Sequence, residues 1–233
     1  MIFLRYLFIA CLLISFSAFA QENSLIPPIP PIPTAAAENH AVPPSPVTLL
    51  AGNKQVMLQF LVSRELAPGS RFSFFNLTTF NADYKNDQTK NTYQSNSALK
   101  YELFNHFSVF TGLGLSYTVG FRPNAGIDYE YASPTWLLVA EPSIDLTQTH
   151  NAQTIAVVEF KPALNERWRL YTQAQGLYNY NFEHEEHDLS YLYLRLGLMY
   201  HSVQFGLGAN FSRFGPDVEE HNNYGLFICK SFR

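Results

Sequence analysis

The chain has 233 residues, 47% of them hydrophobic and 15% aromatic, and a formal net charge of −4. A net negative charge without a basic patch argues against a nucleic-acid partner, and two cysteines cannot supply a disulfide framework. Beyond the first twenty residues no stretch reaches the roughly eighteen apolar residues that a membrane-crossing helix needs, so any membrane-spanning structure must be built from strands.

Residues 1–20 read as a signal peptide: Arg5 precedes an apolar run from Tyr6 to Phe19, and Ala18-Phe19-Ala20 is a small-x-small cleavage pattern. Lipidation at Cys11 would leave a signal only ten residues long. Removing the segment takes away Arg5 and Cys11, leaving a charge of −4 − 1 = −5 and one cysteine, Cys229. Residues 21–45 read as a Pro-rich periplasmic tether, with prolines at 27, 28, 30, 31, 33, 43 and 44 that favour an extended, polyproline-like chain. A PxxP-type ligand for a periplasmic partner is the other reading of this segment.

From residue 46 onward the side chains sort by parity. Leu58, Phe60 and Val62 alternate with Met57, Gln59, Leu61 and Ser63, and Leu192, Leu194, Leu196 and Leu198 alternate with Tyr191, Tyr193, Arg195 and Gly197. Period two predicts strands, at 46–51, 54–66, 70–83, 92–104, 107–120, 125–131, 135–147, 152–162, 167–181, 189–200, 203–213 and 223–232. Many are longer than the five or six residues usual in a soluble sandwich, and their apolar faces end in aromatics such as Phe107, Trp168, Tyr178 and Phe211. This pattern predicts an all-β fold, a transmembrane antiparallel up-and-down β-barrel of about twelve strands over residues 46–233, with lipid outside and alternate residues in the lumen. Dropping the weak segment 125–131 gives ten strands, and a soluble secreted all-β domain is the competing class. Gly112, Gly114 and Gly120 read as room for Tyr171, Tyr191 and Tyr193 across the lumen.

Short connections at Pro68-Gly69, Asn105-His106, Asn165-Glu166 and His201-Ser202 are placed on the periplasmic side, and longer polar ones outside. The last strand, "NNYGLFICKSFR", alternates Tyr224, Leu226, Ile228 and Phe232 towards a terminal aromatic. In this the chain resembles Gram-negative outer-membrane β-barrel proteins, of which a small porin or a narrow twelve-stranded channel of the nucleoside-channel type is the nearest pattern. The resemblance implies residence in the cell outer membrane, with lipids and lipopolysaccharide around the barrel and the barrel-assembly machinery as a partner of the last strand. Lys230 and the final Arg233 depart from that signal.

By parity the lumen receives Lys100, Glu102, Glu141, Asp145, Arg167, Arg169, Tyr171, Gln173, Gln175, Tyr191, Tyr193 and Arg195, and by a weaker assignment Glu159 and Lys161. One reading makes them a selectivity surface in which Arg167, Arg169 and Arg195 attract a small polar or anionic solute. The other makes them a network of paired charges that plugs the barrel, leaving it a structural or adhesive role. Two acidic segments, with His184, Glu186 and His187 in one and Asp217, Glu220 and His221 in the other, could hold a divalent cation or be solvated loops. His106-Phe107-Ser108 has the His-x-Ser spacing of lipid A deacylases, so a lipid hydrolase is the third reading, although the pair falls at a periplasmic turn. No cofactor is expected.

Overall fold

In hydrocarbon every backbone N–H and C=O must find a partner, each failure costing several kcal/mol, and a sheet closed on itself meets that demand. The computed structural model describes residues 44–117, 120–147 and 150–232. Twelve strands follow one another: β1 (Ser45–Gly52), β2 (Gln55–Glu65), β3 (Phe72–Asp83), β4 (Thr92–Phe104), β5 (Phe107–Ser116), β6 (Gly120–Ala132), β7 (Trp136–Asp145), β8 (Ala152–Phe160), β9 (Trp168–Asn181), β10 (Glu186–Tyr200), β11 (Val203–Phe214) and β12 (Glu219–Phe232). Each is antiparallel to its sequence neighbour. β12 closes onto β1 in a register that runs from Ser45 opposite Phe232 to Gly52 opposite Gly225. The segment read as signal peptide and residues 21–43 of the tether lie outside the described residues, and Ser45, read as the last tether residue, opens β1.

Parity assigns the two faces. On β10, Leu192, Leu194 and Leu196 are exposed and Tyr191, Tyr193 and Arg195 buried; on β12, Leu226 and Ile228 are exposed and Phe227 and Cys229 buried. Leu99, Leu113, Leu115, Ile127 and Leu207 extend the outward apolar band around the wall. At the rim holding the two chain ends of the barrel, rings pair as Phe72–Tyr101 at 4.8 Å, Trp136–Phe160 at 4.4 Å and Trp168–Tyr200 at 4.8 Å. At the opposite rim Tyr180–Phe182 and Phe211–Tyr224 pair at 5.5 Å. An apolar band between two aromatic belts matches a bilayer with its two interfaces, and in water so large a patch would drive aggregation. The barrel is a transmembrane one.

The tight turns at Asn105-His106 and His201-Ser202 place His106 at φ 69° and His201 at φ 53°, the left-handed backbone that two-residue hairpin loops use. Between β3 and β4 a 3-10 turn, Gln88–Lys90, is capped by Asp87, whose carboxylate accepts from Thr89 Oγ1 at 2.6 Å and Thr89 N at 3.1 Å. The Thr89 side-chain bond, then the Lys90 ammonium at 3.0 Å, holds the Asp87 carboxyl below its usual range.

Four sequence expectations are corrected. β5 ends at Ser116 and β6 begins at Gly120, so the alternation read as one strand to residue 120 belongs to two strands of like parity. Gly120, at φ 71°, starts the second of them, and the supposedly weak segment 125–131 is the middle of a thirteen-residue strand. β10 starts at Glu186 and β12 at Glu219, so part of each acidic segment is wall. Gly112 and Gly114 do not make room for the tyrosines: a Cβ at Gly112 would lie 2.5 Å from Ser97 O and 2.8 Å from Asn124 Oδ1, and one at Gly114 would meet Asn96 and Asn124. Their partners are strand neighbours.

Candidate functional site

Polar side chains pointing into a barrel are stable only where water or another polar group meets them. Around Lys100, Glu159 and Arg195 it is other side chains. Lys100 on β4, 3% exposed, donates from Nζ to Asp128 Oδ1 on β6 at 3.0 Å and to Glu141 Oε1 on β7, with the Phe75 ring 4.2 Å away. Nearer the rim that holds the ends, Glu159 on β8 accepts from Lys161 Nζ at 2.5 Å, from Tyr171 OH at 3.1 Å and from Gln173 Nε2 at 3.1 Å.

Across the barrel Arg195 on β10 donates from NH1 to Asn210 Oδ1 at 2.7 Å and to Leu194 O at 2.9 Å, and its NH2 lies 3.6 Å from Met57 Sδ. Tyr191 and Tyr193 stack at 4.3 Å, Gln175 Nε2 donates to Tyr191 OH at 3.0 Å, and these groups pack with Leu50, Met57, Tyr171, Phe227 and Cys229. Three cavities between lumen side chains hold about 20 Å³ each, room for a water or two. Among the described residues, side chains pack the lumen around Tyr171, Tyr191 and Tyr193.

Of the expected lumen residues, Lys100, Glu141, Asp145, Tyr171, Gln175, Tyr191, Tyr193 and Arg195 are buried inside, and Gln173 is half-buried there. Glu102 is exposed at the far end of β4. The three arginines do not converge. Arg167 lies exposed in the turn before β9, while Arg169 donates to the backbone carbonyls of Pro134 at 2.7 Å and Lys161 at 3.2 Å and so clamps rim turns. With Gln173 opposite Arg195 and Met199 opposite Arg169, Arg195 and Arg169 stand four residues apart in register, about 13 Å along the wall.

No protein-family model matches the chain, and no curated protein matches it. Solved structures similar to it include the KdgM porin, with a TM-score of 0.44 and 8% identity over 82% of this chain and 100% of that one. The NanC porin shows a TM-score of 0.44 and 12% identity over 83% and 100%, and LpxR from Salmonella typhimurium 0.42 and 10% over 82% and 100%. What the chain does is read from its own lumen and wall.

Among the described residues no three His, Cys, Asp or Glu side chains gather as a metal site. Glu220 pairs with Arg213 at 2.8 Å and His221 with Glu219 at 3.0 Å, while His187 is bonded to Gly215 O and Ser190 Oγ; His184 and Asp217 sit in the turns. His106 turns its ring towards Tyr129 and Tyr131, and no hydrogen bond joins it to Ser108 among the described residues. The parity rule missed Asp128, the second carboxylate on Lys100, because its strand was the one in doubt. Parity puts Asn210 on the lumen face but does not show its pairing with Arg195, because an uncharged residue gives no sign of a partner. The period-two pattern of Ile127, Tyr129 and Tyr131 around Asp128 was the available signal.

Proposed function

We propose that the chain is an outer-membrane barrel, closed at its waist, whose interior works as a polar core that makes the wall rigid. The observation that carries this reading is the burial of Lys100, Asp128, Glu141, Gln175 and Arg195, each 4% exposed or less, among side chains that pack across the lumen. An open channel would leave such groups wet. Both barrel ends are placed in the periplasm, and the rim that carries the longest connection, between Asp83 and Thr92 with the 3-10 turn, is placed outside.

A second reading, a narrow channel for small polar solutes, is favoured by one feature. Among the described residues the filling comes only from wall side chains, and side-chain rotation could open a path. Planar-bilayer conductance of the refolded protein separates the two. A folded, heat-modifiable and electrically silent barrel supports the closed reading; discrete steps that change in Arg195→Ala support the channel.

A further inference from the structure

Residues three apart on a regular strand face opposite sides, but His187 and Ser190 do not. β10 carries a β-bulge: His187 pairs with Tyr180 and Leu189 with Asn179, leaving Asp188 as the extra residue. The bulge reverses parity and turns His187 onto the outward face with Ser190, where bulges commonly re-aim functional side chains. His187 Nε2 lies 3.0 Å from Ser190 Oγ, and His187 Nδ1 lies 3.0 Å from the carbonyl oxygen of Gly215. A carbonyl only accepts, so Nδ1 carries the proton and Nε2 is left as the acceptor of the Ser190 hydroxyl.

The orienting carbonyl is itself fixed. Gly215 sits at φ 68°, in the left-handed region, and its N–H donates to Asp188 O at 2.8 Å, tying the turn to the bulge. Ser190 stands opposite Tyr178 on β9 and opposite Arg213 on β11, and the exposed Tyr178 ring lies 5.8 Å from His187. The pair therefore lies on the outer wall, at the level of the aromatic belt away from the barrel ends. A nucleophile, a base and a fixed acceptor that orients the base are the parts of an acyl-transfer site.

We propose that Ser190 and His187 form a hydrolytic site for acyl esters of lipids carrying an anionic headgroup. Ser190 Oγ attacks the ester carbonyl carbon while its proton passes to His187 Nε2. The tetrahedral adduct then breaks the ester C–O bond and returns that proton to the departing alcohol. Interfacial water, deprotonated by His187, attacks the acyl-Ser190 ester, releases the fatty acid and restores the hydroxyl. Arg213, with a side chain 57% exposed and bound to Glu220, is the guanidinium placed to hold the headgroup phosphate. Location in the outer leaflet rests on the orientation proposed above, whereas hydrolysis does not.

The test incubates the refolded full chain with phosphatidylglycerol vesicles in one arm and purified lipopolysaccharide in the other, with released fatty acid read by mass spectrometry. A fluorophosphonate probe reports the nucleophile in parallel. The expected result is fatty acid from at least one lipid, which identifies the source, a probe adduct on Ser190, and losses of about 10²–10⁴-fold in Ser190→Ala and His187→Asn. Ser108→Ala should retain full activity, and heat-modifiable migration should show that every variant folds. Absence of fatty acid in both arms from folded protein overturns the proposal, as does activity that survives Ser190→Ala.

Discussion

Replacing Lys100 by methionine removes the ammonium that pairs with both Asp128 and Glu141 in a site where all three groups are 4% exposed or less. Methionine has a similar length and can keep the contact with the Phe75 ring, so the lost packing is small and the lost charge dominates. Removing one partner of a buried ion pair costs about 3–5 kcal/mol, because the remaining charge is left buried and uncompensated. Here two carboxylates are left, which places Lys100→Met at the upper end. Dividing about 5 kcal/mol by a urea slope of about 2 kcal/mol per molar gives a fall of about 2.5 M in the unfolding midpoint. The assay is reversible urea unfolding in lipid vesicles, followed by tryptophan fluorescence from Trp136 and Trp168 on the wall. The triple change Lys100→Met, Asp128→Asn, Glu141→Gln removes every charge together and should recover most of the loss. A midpoint unmoved in Lys100→Met, or a triple variant weaker than the single one, would refute the reasoning.

Leu194→Arg puts a cation on the outward face of β10 and should cost about 2–4 kcal/mol in vesicle refolding if Leu194 lies near the midplane, a penalty that Leu66→Arg in the exposed rim turn should escape. Gly215→Ala forces a side chain into the left-handed region at a strain of about 1–2 kcal/mol and shifts the carbonyl that orients His187, so fluorophosphonate labelling of Ser190 should slow while the barrel still folds. Arg169→Ala frees the carbonyls of Pro134 and Lys161 at the rim; it should leave bilayer conductance unchanged and raise amide exchange in the turns around residues 133–135 and 161–167.

The wall was legible because its physics is local. Lipid on one side and packed polar groups on the other impose period two on every strand, and Leu192 to Leu198 or Leu226 to Ile228 state it without help from the rest of the chain. The strand count was legible for the same reason, since short turns at Asn105-His106 and His201-Ser202 divide the alternation. What alternation hides is any place where parity carries through a turn or breaks within a strand. Leu115, Tyr117 and Phe121 keep one parity across the β5–β6 connection, so two strands read as one, while the bulge at Asp188 moved His187 to the face where Ser190 waits. The interior was half legible. Parity could say that Arg195, Tyr191 and Glu141 point inward, but their partners depend on barrel diameter and shear, which no single strand encodes.

The most direct measurement of the closed, lipid-facing barrel uses the buried thiol of Cys229 and its outward neighbour on β12. In vesicles the account predicts that Cys229 stays unreactive towards a water-soluble thiosulfonate until urea unfolds the barrel. Ile228→Cys in a Cys229→Ser background should react only with a lipid-soluble reagent. Rapid modification of Cys229 by the water-soluble reagent in the folded barrel would show a wet lumen and contradict the closed waist, and rapid modification at position 228 by the same reagent would contradict the bilayer itself.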